Sequence, residues 1–188
     1  PLVARDGQRF KRGLLLHRLF ELLPAVAPSA REAAAARFLS QASHALDAET
    51  QAEIAASALR ILGDPAFAPV FGPDSIGEAP IAGTLHGFGC DLSVHGQIDR
   101  IAFDGARILI VDFKTDRKPP GAPESVPAAY TGQLAVYRAL LGQTFPGRTI
   151  SCGLLWTETP QLMEMPQTLL DMALQQLRDR GAEPPSAP

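Results

Sequence analysis

Hydrophobic and polar positions recur with two different periods along this chain, and the change from one to the other divides it. Between Arg12 and Leu23, in RGLLLHRLFELL, the residues Leu16, Leu19, Phe20 and Leu23 fall at helical spacing, and Pro24 ends the run. Ser29 and Glu32 stand three apart, the spacing of a capping box, in front of the Ala-rich run AAAARFLSQA. Asp47 opens AETQAEIAASALRILG in the same way, and Gly63 offers that helix a left-handed close. The pattern thus predicts a helical part over residues 1–63. The next stretch, DPAFAPVFGPDSIGEAP, is dense in Pro and Gly and reads as an irregular connection over residues 64–80.

Beyond it the period shortens. Strands are predicted at Pro80–Leu85, at Leu92–Phe103 and Ile108–Phe113 around an Asp104-Gly105 turn signal, and at Thr149–Trp156. A helix from about Ala128 to Leu141 separates the last two, and PQTLLDMALQQLRDRG supplies a final helix closed by Gly181. The tail AEPPSAP, residues 182–188, has no apolar residue larger than Ala and Pro and is expected to be disordered. The expected architecture is an α/β fold: one domain over residues 1–181, with a central mixed β-sheet flanked by helices. Residues 81–181 form its sheet-containing core.

Composition changes this picture little. At 188 residues, with 46% hydrophobic and 20% charged residues, the chain suits one domain with a real core. No apolar run approaches the roughly 18 residues needed to cross a bilayer, and no secretory leader is evident, so a cytoplasmic, membrane-free protein is expected. Its start at Pro1 reads as a piece of a longer polypeptide. Two cysteines, Cys90 and Cys152, are too few for a four-thiolate zinc or iron–sulfur site. The net charge of −3 argues against bulk electrostatic grip on nucleic acid. Two local basic patches are nevertheless expected, one from Arg5, Arg9, Lys11, Arg12 and Arg18, the other from Lys114, Arg117 and Lys118. Either could equally be a solvated face.

The candidate chemistry lies in GQIDRIAFDGARILIVDFKTD, residues 96–116. Alternation puts Asp112 and Lys114 on one side of their strand and Phe113 on the other. With a two-residue Asp104-Gly105 turn, Asp99 is opposite Ile110; with a four-residue loop it faces Asp112 directly. Either register puts both carboxylates and Lys114 on one face, and only a bulge would break the inference. Ile101, Phe103, Ile108 and Ile110 line that face nearer the turn, and Ile98, Leu109, Val111 and Phe113 the other. Two neighbouring buried carboxylates resist ionising together unless a cation sits between them, and a divalent metal such as Mg²⁺ is the simplest remedy. The alternative is that Asp99 forms an ordinary ion pair with Arg100 or Arg117 while Lys114 reaches solvent.

Four short strings occur in order: GLLLH (13–17), GQIDR (96–100), DFKT (112–115) and QLAVY (133–137). Together they resemble the RecB-type nucleases of the PD-(D/E)xK superfamily, and GQIDRI…ILIVDFKTD is similar to the nuclease domain of AddA-type helicase–nuclease subunits in bacterial double-strand break repair. The resemblance implies a restriction-endonuclease-like core and Mg²⁺-dependent hydrolysis of DNA phosphodiester bonds, with Mn²⁺ as an alternative ion. It implies His17, Asp99, Asp112 and the Phe113 backbone carbonyl as metal ligands and Lys114 as the catalytic lysine beside Asp99 and Asp112. Gln133 and Tyr137, with Gly13, would lie near the DNA, and Glu78, just ahead of the first strand, would be accessory. The implied partners are DNA, in single strands, the helicase portion of the parent polypeptide and a second nuclease subunit. No G-x-x-x-x-G-K-[ST] occurs, so any ATP site belongs elsewhere in the parent. Two other readings are a stand-alone RecB-like exonuclease and an inactive nuclease-fold module that docks or guides DNA.

Overall fold

The computed structural model of the protein describes residues 2–89, 91–116 and 118–180. Its elements are α1 (Leu2–Leu22), α2 (Arg31–Leu39), α3 (Ala48–Gly63), α4 (Ala68–Phe71), β1 (Ser75–Leu85), β2 (Leu92–Asp104), β3 (Arg107–Lys114), α5 (Ala128–Thr144), β4 (Thr149–Trp156), β5 (Gln161–Glu164) and α6 (Gln167–Arg180). Five strands form one sheet in the order β1-β2-β3-β4-β5. All neighbours are antiparallel except β3 and β4, which are parallel because α5 carries the chain back between them. The expected α/β architecture, a central mixed sheet flanked by helices, is what the chain adopts.

The sheet separates two cores. On one face α5 and α6 bring Leu134, Tyr137, Leu140 and Leu170 against Ile98, Ile101, Ile108, Ile110 and Leu154. On the other, Leu16, Leu19, Phe20, Ile54, Ile61 and Val70 of the N-terminal helices cover Leu109, Val111, Phe113 and Leu155. Being covered on both sides, β3 is buried from Ile108 onward, which is why its sequence is an almost unbroken apolar run. Among the described residues no single helix is long and apolar enough to cross a membrane.

Several local expectations are corrected. The first helix is longer than Arg12–Leu23: it starts at Leu2 and ends at Leu22, and Pro24 sits in a 3-10 turn, Leu23–Ala25. Ser29 does not cap α2, because Pro28 starts a 3-10 turn through Ser29 and leaves Ala30 as the N-cap with no side-chain bond. Asp47 does cap α3, accepting from the Thr50 amide at 2.7 Å. Gly63 remains helical, and the chain leaves through Asp64 at φ −82°, ψ 120°, the conformation that the following Pro65 favours.

The stretch 64–80 is not an irregular connection throughout. Pro65 and Pro69 occupy first-turn positions of short helices whose Phe67 and Val70 are buried, and β1 begins at Ser75, not at Pro80. Pro80 is tolerated inside β1 because that strand is an edge. The short edge strand β5 carried no alternation long enough to read. The hairpin connection is Gly105-Ala106, with Gly105 at φ 52° and Asp104 paired to Arg107. Cys90, Arg117, the Gly181 close and the tail 182–188 lie outside the described residues.

Candidate active site

The site begins where strand alternation fails. On β2, Val94 and Ile98 face the α5 core, and so do Ile101 and Phe103, so even positions before Asp99 and odd positions after it share a face. Arg100 and Ala102 then point to the N-terminal helices. The same switch occurs on β1 at Glu78: Ala79 and Ile81 join the α5 core, whereas Gly77 backs onto Arg100 and Glu21. The β1–β2 ladder runs Gly77↔Arg100 and then Ala79↔Ile98, skipping Glu78 and Asp99, and Glu78 has φ 50°. A side chain held at positive φ is strained and is retained only where its surroundings demand it. This paired kink moves Ile98 off the face predicted for it, which is the bulge risk realised. It also aims Glu78 and Asp99 at α1.

Asp99 then replaces strand pairing. The β2–β3 ladder ends at Arg100↔Val111, one step short of Asp99 and Asp112, and the Phe113 amide donates to Asp99 Oδ2 at 2.6 Å. The other carboxylate oxygen, Oδ1, lies 3.4 Å from His17 Nδ1, and the His17 ring meets Phe113 edge-on at 5.4 Å. His17, Glu78 and Asp99 each offer a ligating atom within 4.8 Å of the others. Asp112, expected in that trio, is not within this distance of all three, and Glu78 takes its place there. All four line one open cleft of about 520 Å³, together with Phe113, Lys114 and Gln133.

Burial sets the electrostatics. It pushes the Asp112 carboxyl up to about 6, with the Asp99 charge adding to the effect and Lys114 opposing it. Glu78 is raised for the same two reasons, burial first and then Asp99. For His17 burial alone would lower the value, but the carboxylates of Asp99, Asp112 and Glu78 together outweigh it and raise the imidazole above its ordinary range.

Lys114 does not reach solvent; it is 6% exposed, with Nζ 2.8 Å from Asp112 Oδ2. That contact is a buried, charge-assisted ion pair, and it holds one Asp112 oxygen against the Lys114 ammonium. Even so, burial and the neighbouring Asp99 leave the Asp112 charge under-compensated, and a buried carboxylate beside a second one is the kind of group a hard divalent cation accepts. Three carboxylates and one imidazole around an anionic cleft fit Mg²⁺ or Mn²⁺.

Two further predicted residues are joined. Gln133 Nε2 donates to the Tyr137 hydroxyl at 3.3 Å, both being buried. A Cβ on Gly96 would lie 2.4 Å from that hydroxyl, so only glycine lets Tyr137 seat over β2. Gly13 faces Thr115, where an added methyl would make ordinary contact at 3.4 Å, so its effect is to keep the α1 wall of the cleft open.

Arg100, inside the GQIDR string, is not the ion-pair partner of Asp99 that its position offers. Its guanidinium instead donates to the carbonyls of Phe20 and Val70 and to Ser75 Oγ, clamping the end of α1 to the sheet three residues after His17. Three members of the expected basic patches are already paired: Arg12 is bonded to Glu158 and Ser57, Arg18 to Glu21, and Lys114 to Asp112. The side chains of Arg5 and Arg9 lie outside the described residues.

The sequence model of the PD-(D/E)XK nuclease superfamily matches residues 2–182. The chain belongs to that superfamily. No curated protein matches it. Solved structures similar to it include that of a candidate exonuclease from Eubacterium rectale, 14% identical with a TM-score of 0.49, over 88% of this chain and 70% of that one. Another is the protein SSO0001, 13% identical with a TM-score of 0.39, over 90% of this chain and 76% of the other. The D-x-K triplet of the PD-(D/E)XK name reads Asp112-Phe113-Lys114 here, and Ile98, not proline, precedes Asp99.

What the sequence did not show is the standing of Glu78. It was placed ahead of the first strand and is in fact within β1, at the kink. A partial signal for it was the even spacing of Ala79, Ile81 and Leu85, which carries the strand pattern back past Pro80 to the residue after Glu78.

Proposed function

We propose that this chain is a metal-dependent deoxyribonuclease domain that hydrolyses phosphodiester bonds in single-stranded DNA. Its setting would be the nuclease part of an AddA-type helicase–nuclease, in the bacterial cytoplasm, acting in double-strand break repair by recombination. The observation that carries the catalytic reading is the convergence of His17, Glu78 and Asp99 on a cleft that also holds the buried pair of Asp112 and Lys114. His17, Glu78, Asp99 and Asp112, with the Phe113 carbonyl, would hold Mg²⁺ or Mn²⁺. When bound, the ion supplies Lewis acidity toward the phosphate and acidifies water.

The protein's own groups do the rest. Lys114, fixed at the end of β3 beside Asp112, donates to a non-bridging phosphate oxygen and opposes the negative charge that builds there as the ester bond breaks. Asp99 orients the His17 imidazole through Nδ1 and fixes the Phe113 peptide at the same time. Arg100 keeps α1, and hence His17, against the sheet.

The helicase setting is supported by the four-string resemblance and by charge. With Arg12 and Arg18 already paired to acids and a net charge of −3, the domain has little grip on phosphates by itself. A motor in the parent chain, working with a second nuclease subunit, would deliver the strand and raise its local concentration. The test is cleavage of an end-labelled single-stranded oligonucleotide by the purified 188 residues. Cutting is expected with Mg²⁺, none with EDTA, and recovery when Mg²⁺ is restored. Metal-independent cleavage, or none under any divalent ion, would overturn the reading.

A further inference from the structure

Facing Lys114 across the cleft is a residue not yet given a role. Tyr130 lies in the first turn of α5, and Lys114 Nζ stands 3.9 Å from the centroid of its ring. The Tyr130 hydroxyl donates to Asp116 Oδ2 at 3.2 Å, and the ring leans on Trp156, 6.5 Å between centroids. Trp156 is the residue that pairs with Lys114 across β3 and β4. The backbone of Lys114 is pinned as well, its carbonyl accepting from the Thr157 amide at 2.8 Å and hydroxyl at 3.3 Å. What remains to be held is the ammonium, which stands against the Asp112 carboxylate and the Tyr130 ring.

These two hold it differently. A carboxylate that ligates a divalent cation shares its charge with that cation and is a weaker counter-ion for a lysine. The face of an aromatic ring attracts an ammonium whatever the carboxylate is doing, and more strongly when the pair is shielded from water. Resting on the nuclease reading above, we propose that Tyr130 is a positioning residue: its ring face keeps the Lys114 ammonium aimed into the cleft when Asp112 is engaged by the metal. The hydroxyl, bonded to the exposed Asp116, is not needed for this, because Trp156 already supports the ring.

The chain has three lysines, Lys11, Lys114 and Lys118, so brief acetylation followed by peptide mass spectrometry reads Lys114 against the exposed Lys118. In Mg²⁺, Tyr130→Leu is expected to raise the Lys114-to-Lys118 labelling ratio severalfold, and Tyr130→Phe to leave it at the wild-type value. On a single-stranded oligonucleotide, kcat should fall about tenfold in Tyr130→Leu with KM within about twofold, as for a cation–π contact of ordinary strength. Tyr130→Phe should cut at near the wild-type rate. Melting curves separate a folding defect, and Tyr130→Gln, polar and without a ring face, replaces the leucine variant if that one melts early. Unchanged labelling in the ring-less variants, or equal damage from Tyr130→Phe, overturns the proposal. Wild-type protein that never cuts would sink the nuclease reading instead, and the labelling ratio would still decide whether Tyr130 holds Lys114.

Discussion

The two ends of the β2–β3 hairpin are made from the same backbone and obey different rules. At the turn end the ladder is regular from Arg100↔Val111 to Asp104↔Arg107, and side chains alternate between the two cores. The polar residue there, Arg107, is at the surface, donating to Ser151 and Glu164. At the open end the ladder stops, Asp99 takes the Phe113 amide in place of a strand carbonyl, and Asp112 and Lys114 are buried at 7% and 6% exposure. Regular pairing supplies stability at one end. The other gives up pairing to aim charged groups, which is where departures from local rules are expected in a working site.

The sharpest way to separate the ends is one substitution at each. Asp112→Asn should lower cleavage by about a thousandfold, the upper range for losing one preorganised charged group, while the metal-free protein melts at the same temperature or slightly higher. Ile110→Ala, two residues away and fully buried, should do the reverse. It should cost about 2–5 kcal/mol of stability and leave the folded fraction cutting normally. Chemical denaturation of both variants beside a cleavage assay gives the comparison. If Asp112→Asn destabilises as much as Ile110→Ala, the open end is holding the fold together and the contrast fails.

The same division explains what could be read in advance. Alternation and helical spacing gave the mixed sheet, α3 with its Asp47 cap, and α5, because those elements follow regular patterns with their signals in sequence neighbours. That Asp112 and Lys114 share a side was legible from alternation along β3, whereas the placing of Asp99 assumed an unbroken strand, which the kink removes. The kink was not legible, since it depends on Glu78 and Asp99 failing together on two strands that meet only in the fold. Nor was the hold on Lys114 by Tyr130, 16 residues later in the chain, for which no spacing rule exists. His17 stands beside Asp99 in the fold, and its place beside Glu78 as well is a tertiary fact that no string could carry.

pH separates the two ends through linkage. Asp112 is raised from 3.8 to about 6, so between those values the folded protein keeps a proton that the unfolded chain has released. Stability from this group is therefore full below the lower value and lost as pH rises through the upper one, by up to about 3 kcal/mol. Glu78 and His17 are shifted in the same direction and add to the fall, His17 at higher pH. Asp47 is lowered by the Thr50 amide, so its contribution disappears only in acid below this window. Metal-free protein should accordingly melt at a lower temperature at pH 7.5 than at pH 5, and Asp112→Asn should flatten much of that slope. The rise in melting temperature on adding Mg²⁺ should grow with pH, since ligating carboxylates must be deprotonated. A wild-type melting temperature that climbs from pH 5 to 7.5 in EDTA would contradict the assignment of buried, mutually repelling carboxyls.

The smallest effect probes the kink itself. Glu78 sits at φ 50°, a backbone conformation that costs a residue with a side chain about 1–2 kcal/mol and costs glycine almost nothing. Glu78→Gly removes that strain, and with it a carboxyl whose ionisation burial and Asp99 oppose, while adding some chain entropy to the unfolded state. In EDTA the variant should therefore be more stable than wild type by up to about 1 kcal/mol. In Mg²⁺ the order should reverse or close, because one of the atoms that meets His17 and Asp99 is gone and the ion stabilises the variant less. Glu78→Ala separates the two causes, keeping the strained backbone and losing only the carboxylate, so its EDTA stability should fall between wild type and the glycine variant. Paired melts of the three proteins with and without Mg²⁺ make the measurement. A glycine variant less stable than wild type in EDTA would show that the Glu78 side chain supports the kink, and the open end would then owe its shape to packing and not to the ligands it aims.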